Sequence, residues 1–551
     1  MFSFLNKKAK SKELNFNYEL NGFQPKGEAI PTMFGAMFDG ETDALHMGDI
    51  NIIEMDYYAL RERSWELYAS NELVKAIISR ITTFAIGSGL KLQAEPNTYV
   101  LKQLGIKEDF DAFTKQVENF YDVYSKSKNI DYAKQKNLAA LESKIFLHSK
   151  VAGDVLVIEH IDTDNQWLSY EVVDGGLIDT PPEFKSSGAK EGNRIINGVE
   201  INSTGEHIAY HVKSMKKNSS GGFENLEYKR VLAKSKTTGR RKAFMVYGSE
   251  FRSSQTRGMP LVAVCMQKAK QLDRFSKAVL LKAENNAKFV ASIEHEAYSS
   301  GENPLKKTML GQRNRMANVP EVSGSYSTLS GDKIAQKISR AVNGVVTNLG
   351  LGQKLQPHNS GNQNMDYGIF YDTIAKYVCG ASEIPHEVVM MVFGNNFSAS
   401  RASLKMFEEI LSTHRAYFAM QFNQPVYESF LIYYVSLGYI NSRGILNAYL
   451  SKRTIVLESF FVARFFGKPI PHIDPKKEVD ASILKIKNNL STYEKETEVL
   501  GCGDFEENMK RLSKEVEMTP FKNETIDGEG DEEENGEEDL PKQKNKEDEG
   551  D

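Results

Sequence analysis

Arg252-Ser253-Ser254-Gln255-Thr256-Arg257-Gly258-Met259-Pro260 is where the chain changes character. The stretch is polar as far as Arg257 and ends on Gly258 and Pro260. A proline suits the first turn of a helix, because its φ is already helical and its missing N–H has no partner there. Downstream, Leu261, Val264, Cys265, Leu272, Phe275, Val279 and Leu280 recur at near-heptad steps, which predicts a helix to about Lys288. Upstream the texture is different. The runs Val155–Ile158, Tyr170–Val173 and His207–Val212 have strand character and alternate with loops of Gly, Pro, Asn and Ser. Residues 150–255 therefore read as a β-rich insert between helical segments, and the fold class is α+β.

Further out, apolar residues at three- and four-residue steps predict a helix from Tyr57 to Ile86, stopped by Gly87-Ser88-Gly89. Phe110–Tyr124 and Leu138–Leu147 predict two more. Residues 1–50 read as an extended arm. Beyond 288 the chain is polar and Gly-rich to 363, with strand character only in brief pieces such as 289–293. A helix is expected over Tyr367–Cys379, then a loop from Gly380 to Ser400. A long helix should follow to about Leu437, interrupted at Pro425, with shorter helices over 440–515.

The 551 residues allow three to four structural units. With 40% apolar and 26% charged residues, a large core needs no staple. The net charge of −5 hides a division. Residues 524–551 hold 14 acidic and 3 basic side chains, a net of −11, so residues 1–523 carry +6. Almost without apolar residues, the acidic end is expected to be disordered. Two stretches are basic: residues 205–257 have 12 Lys/Arg against 4 acids, and residues 304–340 have 7 against 2. Such surfaces suit a phosphate backbone or an acidic partner, without the interleaved aromatics of a base-stacking platform. No apolar run reaches the ~18 residues of a membrane span, and no secretory signal pattern opens the chain. Cys265, Cys379 and Cys502 are too few and too scattered for a disulfide framework.

The search for chemistry returns little. The Gly344–Gly352 cluster lacks the spacing and hydroxyl residue of a phosphate-binding loop. His386-Glu387 begins a zinc-protease pattern that Met390 leaves incomplete. His207 and His211, four apart on one strand, are expected to share a face but have no third ligand. Cys379 reads as a small core residue. No nucleophile elbow is present. No catalytic residue, metal site or cofactor is expected.

Five ordered motifs nevertheless resemble the lambda-type portal proteins of tailed bacteriophages, over roughly residues 55–515. They are Arg61–Asn71 leading to Gly87-Ser88-Gly89, Gly198–Ile201 followed by Ala209-Tyr210-His211, and Arg252–Pro260 itself. After these come Gly380–Pro385 with Asn396–Arg401, and Ile473–Glu478 with Gly503-Asp504. The resemblance implies a non-enzymatic portal fold assembling as a ring, in the particle a dodecamer, at one head vertex. A terminase packages double-stranded DNA through its channel, and DNA leaves by the same route. It implies an arm (1–50), a wing (51–257), stem helices (258–288 and 364–385), a clip (289–363) and a tunnel loop (386–399). A long wing helix (400–438), a mostly helical crown (439–518) and the acidic tail (519–551) complete it.

The partners so implied are further copies of the chain, the large terminase subunit, the major capsid or scaffold protein, a head–tail adaptor, and double-stranded DNA without sequence specificity. No membrane is involved, and assembly takes place in the host cytoplasm. Asn395, Asn396 and Ser398 become tunnel-loop candidates for DNA contact. Lys270 and Lys277, on one side of the first stem helix, become channel candidates. Lys306, Lys307, Arg313 and Arg315 become terminase or adaptor contacts. The alternatives are another head–tail structural adaptor, or a nucleic-acid enzyme with scattered carboxylates.

Overall fold

A computed structural model describes residues 57–184, 192–217, 223–236, 239–250, 255–288, 291–295, 353–357, 367–393, 397–468, 475–503 and 505–518. The expected arm, most of the clip and the acidic tail lie outside them. Two compact units divide the chain, residues 1–468 and 469–551.

The first unit opens with α1 (Tyr57–Ser70) and α2 (Glu72–Ala85). The single helix expected over 57–86 is broken at Asn71. Its backbone is extended (ψ 119°), and its side chain accepts the Val74 N–H at 3.0 Å, which caps α2. A short strand β1 (Lys91–Ala94) and helices α3 (Thr98–Gln103), α4 (Phe110–Lys126) and α5 (Leu138–Ala152) follow. Helix α5 outruns its expected end at Leu147 and stops at Gly153, whose φ of 96° no longer fits a helix.

Strands β2 (Asp154–Asp162) and β3 (Trp167–Asp174) form a three-stranded antiparallel sheet with β8 (Ala243–Tyr247), in the order β3-β2-β8. Strands β4 (Arg194–Ile196), β5 (Val199–Ile201), β6 (His207–Lys217) and β7 (Phe223–Leu232) form an antiparallel meander in sequence order. One core cluster, including Leu156, Val173, Ile178, Val199, Tyr210 and Met245, takes residues from both sheets. The expectation that His207 and His211 share a face is corrected by a register shift between Glu200 and Ile201. With the extra residue in β6, His207 Nδ1 lies 3.1 Å from the Tyr210 hydroxyl, while His211 lies 3.5 Å from Glu200.

After the β-rich region the chain makes one 3₁₀ turn at Ala263–Cys265, then α6 (Met266–Lys288). Strands β9 (Ala291–His295) and β10 (Gln353–Pro357) pair antiparallel beyond it, and α7 (Tyr367–Ala381) returns. The expected loop over 380–400 contains a one-turn helix, α8 (His386–Met390). A continuous helical rod then runs from residue 397 to 436: α9 (Phe397–Phe418), a π-turn (Ala419–Asn423) and α10 (Gln424–Ser436). At 1.5 Å per residue it is about 60 Å long, and we call it the spine. Its irregularity lies upstream of Pro425 because, inside this continuous helix, the proline has no N–H to give to the preceding turn. The conflict falls on the preceding turn, where the proline ring would meet a carbonyl, and the wider π-turn relieves it. Helices α11 (Arg443–Leu450) and α12 (Thr454–Phe461) lead to β11 (Ala463–Phe466), which pairs with β1.

The second unit holds α13 (Pro475–Lys487), α14 (Tyr493–Val499) and α15 (Phe505–Met518). Lys485 and Glu496 join α13 to α14 at 3.1 Å, and Tyr493 stacks on Phe505 at 5.6 Å.

Candidate functional site

Residues of two motifs, Arg61 of the first and Arg257 and Gly258 of the third, meet Asp154 and Tyr57 in one buried network. Asp154 opens β2 and is fully buried, as are Arg257 and Tyr57, and Arg61 is nearly so. Arg257 Nε donates to Asp154 Oδ2 at 2.7 Å and its Nη2 to Asp154 Oδ1 at 3.0 Å. The remaining Arg257 donors reach the carbonyls of Gly175 (2.7 Å), Ile178 (3.2 Å) and Asn197 (2.5 Å). Arg61 donates to the Asp154 carboxylate at 2.5 Å and to Asp174 at 2.9 Å. The Tyr57 hydroxyl donates to Asp154 at 2.6 Å, and both guanidinium groups lie over its ring. Burial alone would raise the Asp154 pKa. Arg257, then Arg61, outweigh it and hold the carboxyl down at about 2. Two cations against Asp154 and the partly exposed Asp174 leave no net charge in the core.

Backbones approach closely at the same point. Gly258 packs on Gly153 so tightly that a Cβ on Gly258 would lie 2.0 Å from the Gly153 carbonyl oxygen. The Gly258 N–H meanwhile donates to Asp154 at 2.9 Å. Helix α1, the start of β2, the loop before β5 and the approach to α6 are thereby clamped together. The described part of the motif, residues 255–260, is an anchor for the helices that follow it. Arg257 itself is fully buried.

Helices α6 and α7 run antiparallel from this anchor. Cys265 faces Ser382 (3.7 Å), Lys268 lies over the Tyr377 ring (5.1 Å), and Phe275 packs on Phe370 (4.5 Å) and stacks on Tyr367 (5.7 Å). The β9–β10 strands, next in sequence, are likewise antiparallel. With 23 residues, α6 is about 34 Å long. Large apolar side chains on this pair stand in solvent: Leu280, Leu281, Ile369 and Tyr377 are each more than half exposed. So are Met391, Val392 and Phe393 after α8, and Met406 on α9.

The sequence-derived candidates fall as follows. Lys277 is exposed and pairs with Asp273 at 2.7 Å, whereas Lys270 is less exposed and reaches Glu66 on α1 at 3.3 Å. Ser398 lies in the first turn of α9 rather than in a loop. Asn395, Asn396, Lys306, Lys307, Arg313 and Arg315 lie outside the described residues. His386 is accounted for by Asp372 at 3.2 Å. Cys379 is buried, as expected. Among the described residues no group of three His, Cys, Asp or Glu could hold a metal, and no helix is long and apolar enough to cross a membrane. Asp154 escaped sequence reasoning. Its only signal is a lone acid directly ahead of an apolar strand.

A family profile described as phage portal protein, lambda family, matches residues 47–415. The chain belongs to the lambda family of phage portal proteins. That family is a structural component of the phage particle, and the match takes in the whole anchor, both antiparallel helices and most of α9. Portal protein B of Escherichia phage lambda is 23% identical over 468 residues, 81% of each chain. The portal protein of Escherichia phage N15 is 22% identical over 494 residues, 86% of each. Among solved structures, the neck of a native gene transfer agent particle computed with C12 symmetry covers 82% of this chain and 94% of its own, at 11% identity and a TM-score of 0.40. The virion of a native gene transfer agent particle covers the same shares at 11% identity and a TM-score of 0.41.

Proposed function

We propose that copies of this chain close into a ring, twelve in the particle, whose channel carries double-stranded DNA inward during packaging and outward at ejection. In this reading α6 and α7 are the stem, the β-rich layers with α1–α5 are the wing, and residues 289–363 are the clip. Residues 386–399 enter the channel as the tunnel loop, the spine returns into the wing, and residues 439–518 form the crown.

The observation that carries the reading is the antiparallel helix pair. It is clamped at one end by the Asp154 network and bears exposed Leu280, Leu281, Ile369 and Tyr377 along its length. Apolar area of this kind is stabilised when a neighbour covers it, at about 25 cal/mol per Å². A ring of identical neighbours covers it on every copy at once.

Lys270 and Lys277 then neutralise phosphates along the stem, Lys277 being the more exposed of the two. Asn395, Asn396 and Ser398 contact DNA without gripping it, since small polar side chains hydrogen-bond a backbone but add no ion pair. Lys306, Lys307, Arg313 and Arg315 meet the large terminase subunit or the head–tail adaptor. The major capsid or scaffold protein is a further partner. DNA is bound without regard to sequence. The test is electron microscopy of the purified chain. Rings with a central hole support the reading, and a population of isolated monomers at micromolar concentration overturns it.

A further inference from the structure

Helix α5 and the spine meet along a seam with three rungs. Glu142 meets Asn423, Phe146 meets Phe418 edge to face at 5.4 Å, and Lys150 meets His414. The numbers rise by four on α5 while they fall on the spine, so the helices run antiparallel and each rung lies one turn from the next. The middle rung is apolar, and the outer two are ionisable and buried, with Glu142 0% and Lys150 2% exposed.

The Glu142 rung sits at the π-turn. Its Oε1 accepts from Asn423 Nδ2 at 2.5 Å, and its Oε2 accepts from the Leu90 N–H at 2.9 Å. Among the described residues no Lys, Arg or His pairs with it. Tyr121 of α4 is the titratable group that feels its charge. The charged residues nearby on α5 are engaged elsewhere: Lys150 with the Gly248 carbonyl at 2.6 Å, and His148 toward Asp174 at 3.9 Å. Burial pushes the Glu142 carboxyl up to about 7, against the two hydrogen bonds that favour its charged form. Asn423 Oδ1, across the rung, is buried and accepts no hydrogen bond from the described residues. An amide with one free acceptor facing an uncompensated carboxylate is half of a two-way pair. A proton on the carboxyl completes it: the new O–H donates to Asn423 Oδ1, while Asn423 Nδ2 still donates to the other carboxyl oxygen.

We propose that Glu142 and Asn423 form a proton-operated latch on the spine, closed when the carboxyl takes a proton from solvent and loosened when it gives the proton back. The latch lies at the joint between α9 and α10, so its state sets how firmly the π-turn is held on α5. The inference concerns this chain's own fold and does not depend on the ring.

Hydrogen exchange of the full-length protein at pH 5.5 and 7.5, corrected for intrinsic exchange, tests it. Protection of the amides of residues 419–424 is expected to fall several-fold at pH 7.5. Glu142→Gln carries a permanent N–H donor for Asn423 Oδ1 but no longer accepts the Leu90 N–H, so its protection should be equal at the two pH values. The difference in Tm between pH 5.5 and 7.5 should shrink by several degrees relative to wild type. Equal protection of the wild type at the two pH values overturns the latch, even if the variant does not fold. A variant that keeps the wild-type change in protection between the two pH values also overturns it.

Discussion

Arg257 and Asp154, 103 residues apart, face each other with two hydrogen bonds of 2.7 and 3.0 Å and with no solvent on either side chain. Asp154 also receives Arg61, Tyr57 and the Gly258 N–H. Removing the acid leaves the Arg257 guanidinium buried without a counter-charge and Arg61 with Asp174 alone. Asp154→Ala should cost about 3–5 kcal/mol and give insoluble or unfolded protein, as measured by thermal unfolding and soluble yield. Arg257→Lys keeps the charge but cannot span Asp154, Gly175 and Asn197 together, and should cost somewhat less.

The same carboxyl predicts acid sensitivity. Its pKa in the fold is about 2, below the ~3.9 of an unfolded chain. A depressed acid stabilises the fold above its unfolded pKa, and that contribution is lost as pH falls from about 4 to 2. The loss is of order 2 kcal/mol. Urea midpoints taken between pH 5 and 2 should show it.

Lys150 acts at the other end of the scale. Burial lowers its pKa to about 8, with Glu383 acting against the shift. An unfolded lysine titrates near 10.4, so between about pH 8 and 10 the unfolded chain binds the extra proton and stability rises with pH. Denaturant titrations should show a rise of order 2 kcal/mol, and Lys150→Met should flatten it.

Gly258→Ala places a methyl group 2.0 Å from the Gly153 carbonyl. Backbone lies on both sides, so the contact cannot be relieved by a rotamer change. A loss of at least ~3 kcal/mol is expected, measured as a Tm drop. A Gly205→Ala control tests φ strain alone, since no atom lies within 4 Å there.

Exposed apolar residues should separate assembly from folding. Ile369→Asp and Leu281→Asp touch little within one subunit, so monomer stability should stay within about 0.5 kcal/mol. Ring formation by mass photometry should fall sharply. In a packaging assay, Asn395→Asp with Asn396→Asp should slow DNA entry by repelling phosphate. Charge reversal at Lys306, Lys307, Arg313 and Arg315 should abolish terminase binding while rings still form.

The sequence revealed the β-rich insert, the helices flanking it and the family, because each rests on periodicity or on motif order. It did not reveal what the motifs are for. Arg61 and Arg257 lie 196 positions apart, and only the fold brings them onto Asp154. Asn71 was hidden inside a continuous apolar pattern, where a cap competes with periodicity. The β1–β11 pair was missed because four residues of strand carry no alternation worth the name. The displaced irregularity at 419–423 shows a proline acting one turn before itself.

The β1–β11 pair also sets a clock. Lys91 is opposite Phe466 and Ala94 opposite Ala463, so the first unit closes with a strand made almost last. On a ribosome, everything from α1 to α12 is synthesised before that partner exists, and contacts this distant in sequence form late. A nascent chain that ends before residue 463 therefore lacks a completed first unit, and its β1 edge stands unpaired.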